Sequence, residues 1–209
     1  YALCYRTRHS TSNLTCSRRV GWQGAMRPDY VLSPDVLTGE ECARIIKYCC
    51  GDMQTARVGR GFDFWRRRSK VAWLNQGSEV DDLVMKCVNA LIYVSSEYYD
   101  QFINHVEPVQ FTHYGIGMYY GWHMDAGINA EENRIISASV ELSDPSKYWG
   151  GGLKFADHPN PVPKRQQGTM ISFPSLIVHK ARPVFWGTRS SLVLWGSRSN
   201  VRPDDSDTA

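Results

Sequence analysis

His123, Asp125 and His179 are the side chains of this chain best suited to do chemistry. They stand in the stretches Gly121-Trp-His-Met-Asp-Ala-Gly127 and Phe173-Pro-Ser-Leu-Ile-Val-His-Lys180. Two imidazoles and one carboxylate can occupy one triangular face of an octahedral metal, of which ferrous iron is the natural choice. The opposite face then stays open for substrate and dioxygen. The His-x-Asp pair alone is a weak signal, because such a pair is more often a surface turn. His179 strengthens it: the ring ends the apolar run Leu176-Ile-Val178, a strand position that returns a polar group to a barrel interior. A core histidine satisfied by a backbone carbonyl is the plainer alternative.

Ten residues on, Arg189 and Ser191 lie two apart on a final strand and so share one of its faces. An inward Arg is unfavourable unless it meets a carboxylate. Guanidinium and carboxylate pair through two parallel hydrogen bonds, and a Ser hydroxyl can add a third. No acidic partner is evident nearby in the sequence, which leaves the carboxylate of a ligand. Were Arg189 to face outward, Leu192 and Leu194 would face in. Both phases are apolar from Leu192 to Trp195, so periodicity leaves the orientation open.

The elements that must position these residues change character at Pro108. Before it, Tyr30-Val31-Leu32 reads as a short strand, and Thr38-Gly-Glu-Glu41 offers a capping box for a helix through Cys50. Lys70 to Leu74 reads as a strand. From Glu79 to Ile103 apolar residues recur at helical spacing. After it, short segments rich in β-branched and aromatic residues follow one another: 109 to 120, 134 to 142, 152 to 156, 169 to 173, 177 to 180, 183 to 186 and 190 to 196. Two helices and then about seven strands predict a mainly β fold, a barrel or double-sheet jelly roll with helices flanking one side.

Composition narrows the function classes. Residues 1 to 28 carry Arg6, Arg8, Arg18, Arg19 and Arg27 and no acid, against a formal charge of +3 for the whole chain. The remainder is therefore about −2 (+3 less +5), so the domain itself is not strongly basic. The first 28 residues are expected to form a poorly ordered basic extension, residues 29 to 200 the catalytic domain, and 201 to 209 a disordered tail. No stretch approaches the roughly 20 apolar residues of a membrane span. Six cysteines show neither metal-site pairing nor the density of a secreted scaffold, and Cys42, Cys49 and Cys87 fall among apolar helical positions as buried free thiols. A reducing cytoplasm is the expected setting, and it would keep iron ferrous.

With these residues in order, the chain resembles the Fe(II)- and 2-oxoglutarate-dependent dioxygenases, in the prolyl/lysyl-hydroxylase-like (prolyl 4-hydroxylase-type) branch. The matching segments are Arg67-Arg-Ser-Lys-Val-Ala-Trp-Leu74, His113-Tyr-Gly-Ile-Gly-Met-Tyr-Tyr-Gly-Trp-His-Met-Asp125 and Arg134-Ile-Ile-Ser-Ala-Ser-Val-Glu-Leu-Ser-Asp-Pro145. Tyr148 to Phe155, Gly168 to Pro174 and His179 through Trp195 continue them, so the likeness covers residues 29 to 198. It implies a distorted double-stranded β-helix, with His123, Asp125 and His179 as iron ligands. Arg189 matches the residue that pairs with the distal carboxylate of 2-oxoglutarate, Ser191 and Tyr114 positions that add hydrogen bonds there, and Tyr120 an aromatic near the co-substrate. Ordinary core packing is the plain reading of both tyrosines. The implied reaction is hydroxylation of an unactivated C–H bond with dioxygen, yielding succinate and carbon dioxide, with ascorbate as an accompanying reductant. Asp125 favours hydroxylation, since halogenating relatives lack that carboxylate.

The substrate is less legible. By resemblance the default is a peptidyl prolyl side chain; a free amino acid or small metabolite is the alternative, and a non-catalytic jelly-roll module the third reading. Arg67, Ser69, Arg134 and Trp195 match positions near the substrate. The loop from Arg57 to Ser69 mixes arginines with Phe62, Phe64 and Trp65, which suits single-stranded nucleic acid. Against that, the domain is not basic, and the second Arg that nucleic-acid-repair relatives have six residues after the first is Trp195. The plain reading is a solvated loop with Trp65 packed beneath it.

Overall fold

The computed structural model describes residues 15–16, 28–56, 65–126, 133–158, 160, 162 and 166–198. The expected N-terminal extension and C-terminal tail fall almost wholly outside the described residues, as does loop 57–64. In chain order the elements are β1 (Thr15–Cys16), β2 (Val31–Ser33), α1 (Gly39–Cys49), β3 (Gln54–Thr55), β4 (Arg67–Arg68), β5 (Lys70–Leu74) and α2 (Asp81–Tyr99). There follow β6 (His105–Val106), β7 (Val109–Tyr114), β8 (Tyr119–His123), β9 (Arg134–Glu141), β10 (Tyr148–Gly150) and β11 (Leu153–Phe155). The chain closes with β12 (Met170–Pro174), β13 (His179–Ala181), β14 (Val184–Gly187) and β15 (Arg189–Ser197).

Among the described residues the major sheet has the order β1-β2-β12-β9-β15-β7-β5-β3, with β6 also on β15. A second sheet, β11-β13-β8-β4, faces it, and β10 pairs with β14. The ladders are antiparallel. This is the jelly roll expected from the run of short strands, with helices on one side.

The helices start and stop for local reasons. Thr38 caps α1: its hydroxyl accepts from the Glu41 amide at 3.2 Å while the Glu41 carboxylate accepts from the Thr38 amide at 2.9 Å. The α2 helix ends at Tyr99, short of the expected Ile103, because Asp100 turns left-handed with φ 51°. Phe102, which continued the periodic stripe in the sequence, is exposed. The buried face of α2 carries Leu83, Val84, Cys87, Val88, Leu91 and Val94, packed in one cluster with Phe111, Leu192 and Leu194 of the major sheet. Each such side chain contributes about 2 kcal/mol by leaving water, and Leu91→Ala would cost about 2–5 kcal/mol.

The other face of the major sheet meets the second sheet and lines the site. β15 therefore has two buried faces. Leu192 and Leu194 pack toward the helices, while Arg189, Ser191, Val193 and Trp195 line the cavity between the sheets. That settles the orientation that periodicity left open: Arg189 is inward and only 4 % exposed.

Candidate active site

The triad is assembled by strand pairing. β8 and β13 are antiparallel neighbours, and His123 lies directly opposite His179 in their register. His179 opens β13 rather than ending a strand as expected; Leu176, ahead of it, is exposed in a turn. Asp125 follows β8 by two residues, its amide donating to the Ser175 carbonyl at 3.0 Å. The three ligand atoms lie within 4.8 Å of one another. Asp125 Oδ1 and Oδ2 are each 3.6 Å from an imidazole Nε2, of His123 and His179 respectively.

The protonation of the rings tests whether a cation fits. His123 Nδ1 lies 2.8 Å from the Gly121 carbonyl and His179 Nδ1 lies 2.9 Å from the Ile177 carbonyl. A carbonyl only accepts, so both Nδ1 atoms carry hydrogen and donate. In the neutral rings each Nε2 then has a bare lone pair, and both lone pairs face a carboxylate across 3.6 Å. Burial, then the neighbouring His179, push the His123 imidazolium down to about 4, so that ring is neutral. Two imidazole nitrogens and a carboxylate converging in a buried space form a donor set suited to a metal cation.

Aromatic rings hold the donors in place. Tyr120 stacks on His123 with centroids 3.6 Å apart, and the Arg67 guanidinium covers its other side at 4.6 Å. Phe173 meets His179 edge-on at 4.7 Å. Tyr120 thus supports a ligand ring by stacking. Arg134, expected from the resemblance to lie near the substrate, pairs with Glu107 at 2.5 and 2.6 Å and donates to the Asp125 carbonyl at 3.3 Å. It also lies 4.2 Å over the Trp195 ring. Ser69 is buried and accepts from Arg67 Nε at 2.8 Å, so it orients Arg67. Arg67 and Trp195 do line the cavity of about 50 Å³ that holds the triad. Trp65, expected to pack beneath its loop, is 92 % exposed.

Arg189, Ser191 and Tyr114 line the same cavity. Tyr114 is directly opposite Arg189 on β7, and the guanidinium lies 5.9 Å from its ring. Arg189 Nη1 reaches Ser191 Oγ at 3.4 Å. Contrary to the sequence-based expectation, Arg189 has an acidic protein partner: its Nε donates to Glu141 Oε2 at 2.8 Å. Glu141 comes from the adjacent β9, where it pairs in register with Ser191. The signal was present in the alternation Ser137, Ser139, Glu141 against Ile136, Ala138, Val140, which puts the carboxylate on the inner, polar face. A larger cavity of about 310 Å³ adjoins on the far side of this ion pair and shares Ser139, Leu153 and Arg189 with the first.

Residues 109–197 match the family profile described as the 2OG-Fe(II) oxygenase superfamily. That segment, somewhat under half of the chain, is similar to this superfamily. The matched segment contains the triad, Arg189 and every strand that positions them. Among curated relatives, a PKHD-type hydroxylase of Cupriavidus metallidurans is 34 % identical over 108 residues, 48 % of this chain and 47 % of the relative. Another, of Caulobacter sp., is 29 % identical over 188 residues, 82 % and 78 % of the two chains. The matched stretch thus spans under half the length of the first relative. Among solved structures, a Pseudomonas putida prolyl-4-hydroxylase superposes with a TM-score of 0.67 at 19 % identity, covering 82 % of this chain and 94 % of that one. The viral collagen prolyl hydroxylase of Paramecium Bursaria Chlorella virus-1, solved as a 2OG complex, gives 0.65 at 23 % identity over 82 % and 97 %.

Proposed function

We propose that residues 29–200 form the catalytic domain of an Fe(II)- and 2-oxoglutarate-dependent hydroxylase whose substrate is a peptidyl side chain, prolyl being the first candidate. The observation that carries this reading is one cavity lined by both the three metal donors and a buried Arg. His123 Nε2, His179 Nε2 and the Asp125 carboxylate would hold the iron. Arg189, with Ser191 and Tyr114 beside it, would receive the distal carboxylate of the co-substrate. The bound metal supplies the oxidation of a C–H bond to an alcohol by dioxygen, with 2-oxoglutarate converted to succinate and carbon dioxide.

The chain's own part is positioning and exclusion. The Nδ1–H bonds to Gly121 and Ile177 hold both imidazoles in the tautomer that presents Nε2. Phe173, Leu153 and Ala138 keep the cavity wall apolar, which protects a reactive centre from water. Asp125 completes a carboxylate-bearing donor set, the arrangement suited to hydroxylation.

Three features support a peptide over an enclosed metabolite. The cavity at the triad is small, about 50 Å³, which favours a substrate that inserts only a side chain. Trp65, exposed and two residues before the cavity-lining Arg67, offers a ring to an extended partner. Trp195 lines the cavity with an Nε1–H that is buried and has no acceptor among the described residues, a donor for a substrate carbonyl. No helix among the described residues is long and apolar enough to cross a membrane. The free thiols Cys42, Cys49 and Cys87 support a reducing, cytoplasmic setting.

The test is succinate release by the full chain with Fe(II) and 2-oxoglutarate, against pools of peptides, free amino acids and oligonucleotides. Mass spectrometry would follow any gain of one oxygen. Stimulation by proline-containing peptides is expected. Stimulation by a free amino acid alone would replace the peptide reading, and iron-loaded protein that consumes no 2-oxoglutarate with any pool would overturn both.

A further inference from the structure

Arg189 does not wait for a ligand with its charge uncompensated. Glu141 takes Nε through Oε2 at 2.8 Å, and the Tyr148 hydroxyl bonds to both members of the pair. Both charged side chains are about as buried as side chains become, with Arg189 4 % and Glu141 3 % exposed. Yet the contact is one-pronged. Glu141 Oε1 is buried without a partner among the described residues, and Arg189 Nη1 makes a long contact, 3.4 Å, to Ser191 Oγ. The pair leaves one carboxylate oxygen unsatisfied and meets the guanidinium through Nε, whereas a fork-on-fork pair would use both oxygens. Nor does a second cation relieve Glu141 among the described residues: Arg182 lines the same larger cavity, but no ion pair joins the two.

A dicarboxylic co-substrate that docks on the Nη side of Arg189 brings a second carboxylate beside Glu141, among buried, poorly screened side chains. Like charges held that close in a poorly screened site repel strongly. A 2-oxo acid with an uncharged tail meets no such repulsion. Building on the reading of this cavity as the 2-oxoglutarate site, we propose that Glu141 is an internal competitor for the co-substrate's distal carboxylate, weakening 2-oxoglutarate binding and narrowing its advantage over 2-oxo acids that lack that group. Glu141 is a specificity-determining residue, and it acts through Arg189.

Glu141→Gln separates charge from shape, since the amide oxygen can still accept from Arg189 Nε. The measurement is calorimetric titration of full-length wild type and E141Q, each loaded with redox-silent Zn(II), with 2-oxoglutarate and with 2-oxobutyrate. E141Q is expected to bind 2-oxoglutarate at least about tenfold more tightly than wild type, with 2-oxobutyrate unchanged within about twofold. Because Arg189 loses its counter-charge in the variant, the free protein should melt lower, and 2-oxoglutarate should raise its melting temperature more than that of wild type. Should E141Q fail to accumulate folded, refolding it in excess of either acid makes the same comparison: rescue by the dicarboxylate alone supports the inference, and equal rescue overturns it. Equal or weaker 2-oxoglutarate binding by E141Q, where wild type binds, overturns the role of Glu141 and leaves the site reading intact. If wild type binds Zn(II) but neither protein binds 2-oxoglutarate, the co-substrate site itself is wrong, and the competitor with it.

Discussion

His123 and His179, 56 positions apart in the chain, face each other as register partners on β8 and β13 with ring centroids 4.2 Å apart. Each ring commits its Nδ1 proton to the carbonyl two residues before it. The same backbone that pairs the strands therefore sets both tautomers. The consequence is an unfavourable arrangement in the metal-free protein, two lone pairs against the Asp125 carboxylate, which a cation converts into a favourable one.

Asp125→Asn should separate those two effects. Removing the negative charge relieves the repulsion, so the chelator-treated variant is expected to be as stable as wild type or about 1 kcal/mol more so. The gain in melting temperature that Fe(II) or Zn(II) gives wild type should be lost in the variant. Thermal melts with chelator and with metal decide it: a metal-dependent rise of wild-type size in Asp125→Asn would sink the ligand assignment.

The Arg134–Glu107 pair holds the ligand loop from behind. Arg134→Met leaves Glu107, 17 % exposed at its side chain, without its partner, and removes the donor to the Asp125 carbonyl. A loss of about 2–3 kcal/mol is expected, less than for a fully buried pair. Glu107→Gln in the same chain should recover part of it. Metal affinity should fall in both variants because the Asp125 backbone loses its anchor. Denaturant melts of the two variants, with metal titrations beside them, check each part; metal affinity at the wild-type level would show that Arg134 only fills space.

The fold was readable where one physical signal dominated, and obscured where two coincided. The capping box at Thr38 and Glu41 is local, and it stands as expected. The final strand was legible as a strand but not in its orientation, since helices cover one face of the major sheet and the second sheet the other, so both phases are apolar. The stretch 109 to 120 reads as one strand because its composition is uniform; Gly117, at φ 74°, breaks it into β7 and β8. Among the site residues, the triad could be found by type and spacing. Glu141 could not be paired with Arg189 from sequence, because their adjacency depends on β9 lying beside β15, a neighbour relation 48 positions long.

Gly168 is a backbone requirement beside the ion pair. Its φ is 82°, and an added Cβ would sit 1.8 Å from the Leu37 carbonyl oxygen. Its carbonyl accepts from the Val36 and Leu37 amides, and its own amide donates to the Glu141 carbonyl at 2.7 Å. Gly168→Ala should cost about 3 kcal/mol or more. Gly152→Ala, at φ 79° but with open space around it, should cost only about 1 kcal/mol. Urea midpoints of the two variants compare them, and equal losses would mean that the clash at Leu37 is relieved by movement.

The buried thiols predict a labelling pattern. Desolvation pushes Cys42, Cys49 and Cys87 each up to about 12, so at neutral pH almost none of any of them is thiolate. Cys50 is exposed. Iodoacetamide should modify Cys50 in the native protein and reach the other three only in denaturant, as peptide mapping by mass spectrometry would show. Native labelling of Cys87, at the centre of α2, would contradict the packing of that helix.

Arg189→Ala, the obvious probe of the co-substrate site, does more than remove a ligand contact. It strands the Glu141 carboxylate, 3 % exposed, with no cation beside it. Breaking one side of a buried pair costs about 3–5 kcal/mol, because the remaining charge stays desolvated. The single variant should therefore be much less stable and lose 2-oxoglutarate binding, an outcome that confuses misfolding with lost recognition. Adding Glu141→Gln removes the stranded charge, and the double variant should return to within about 2 kcal/mol of wild type, since only hydrogen bonds are then missing. It should still fail to bind 2-oxoglutarate while binding Zn(II) normally, because none of the three metal donors is changed. Denaturant melts and calorimetry on both variants give the answer. A double variant that binds 2-oxoglutarate as wild type does would show that the distal carboxylate is held by something other than Arg189.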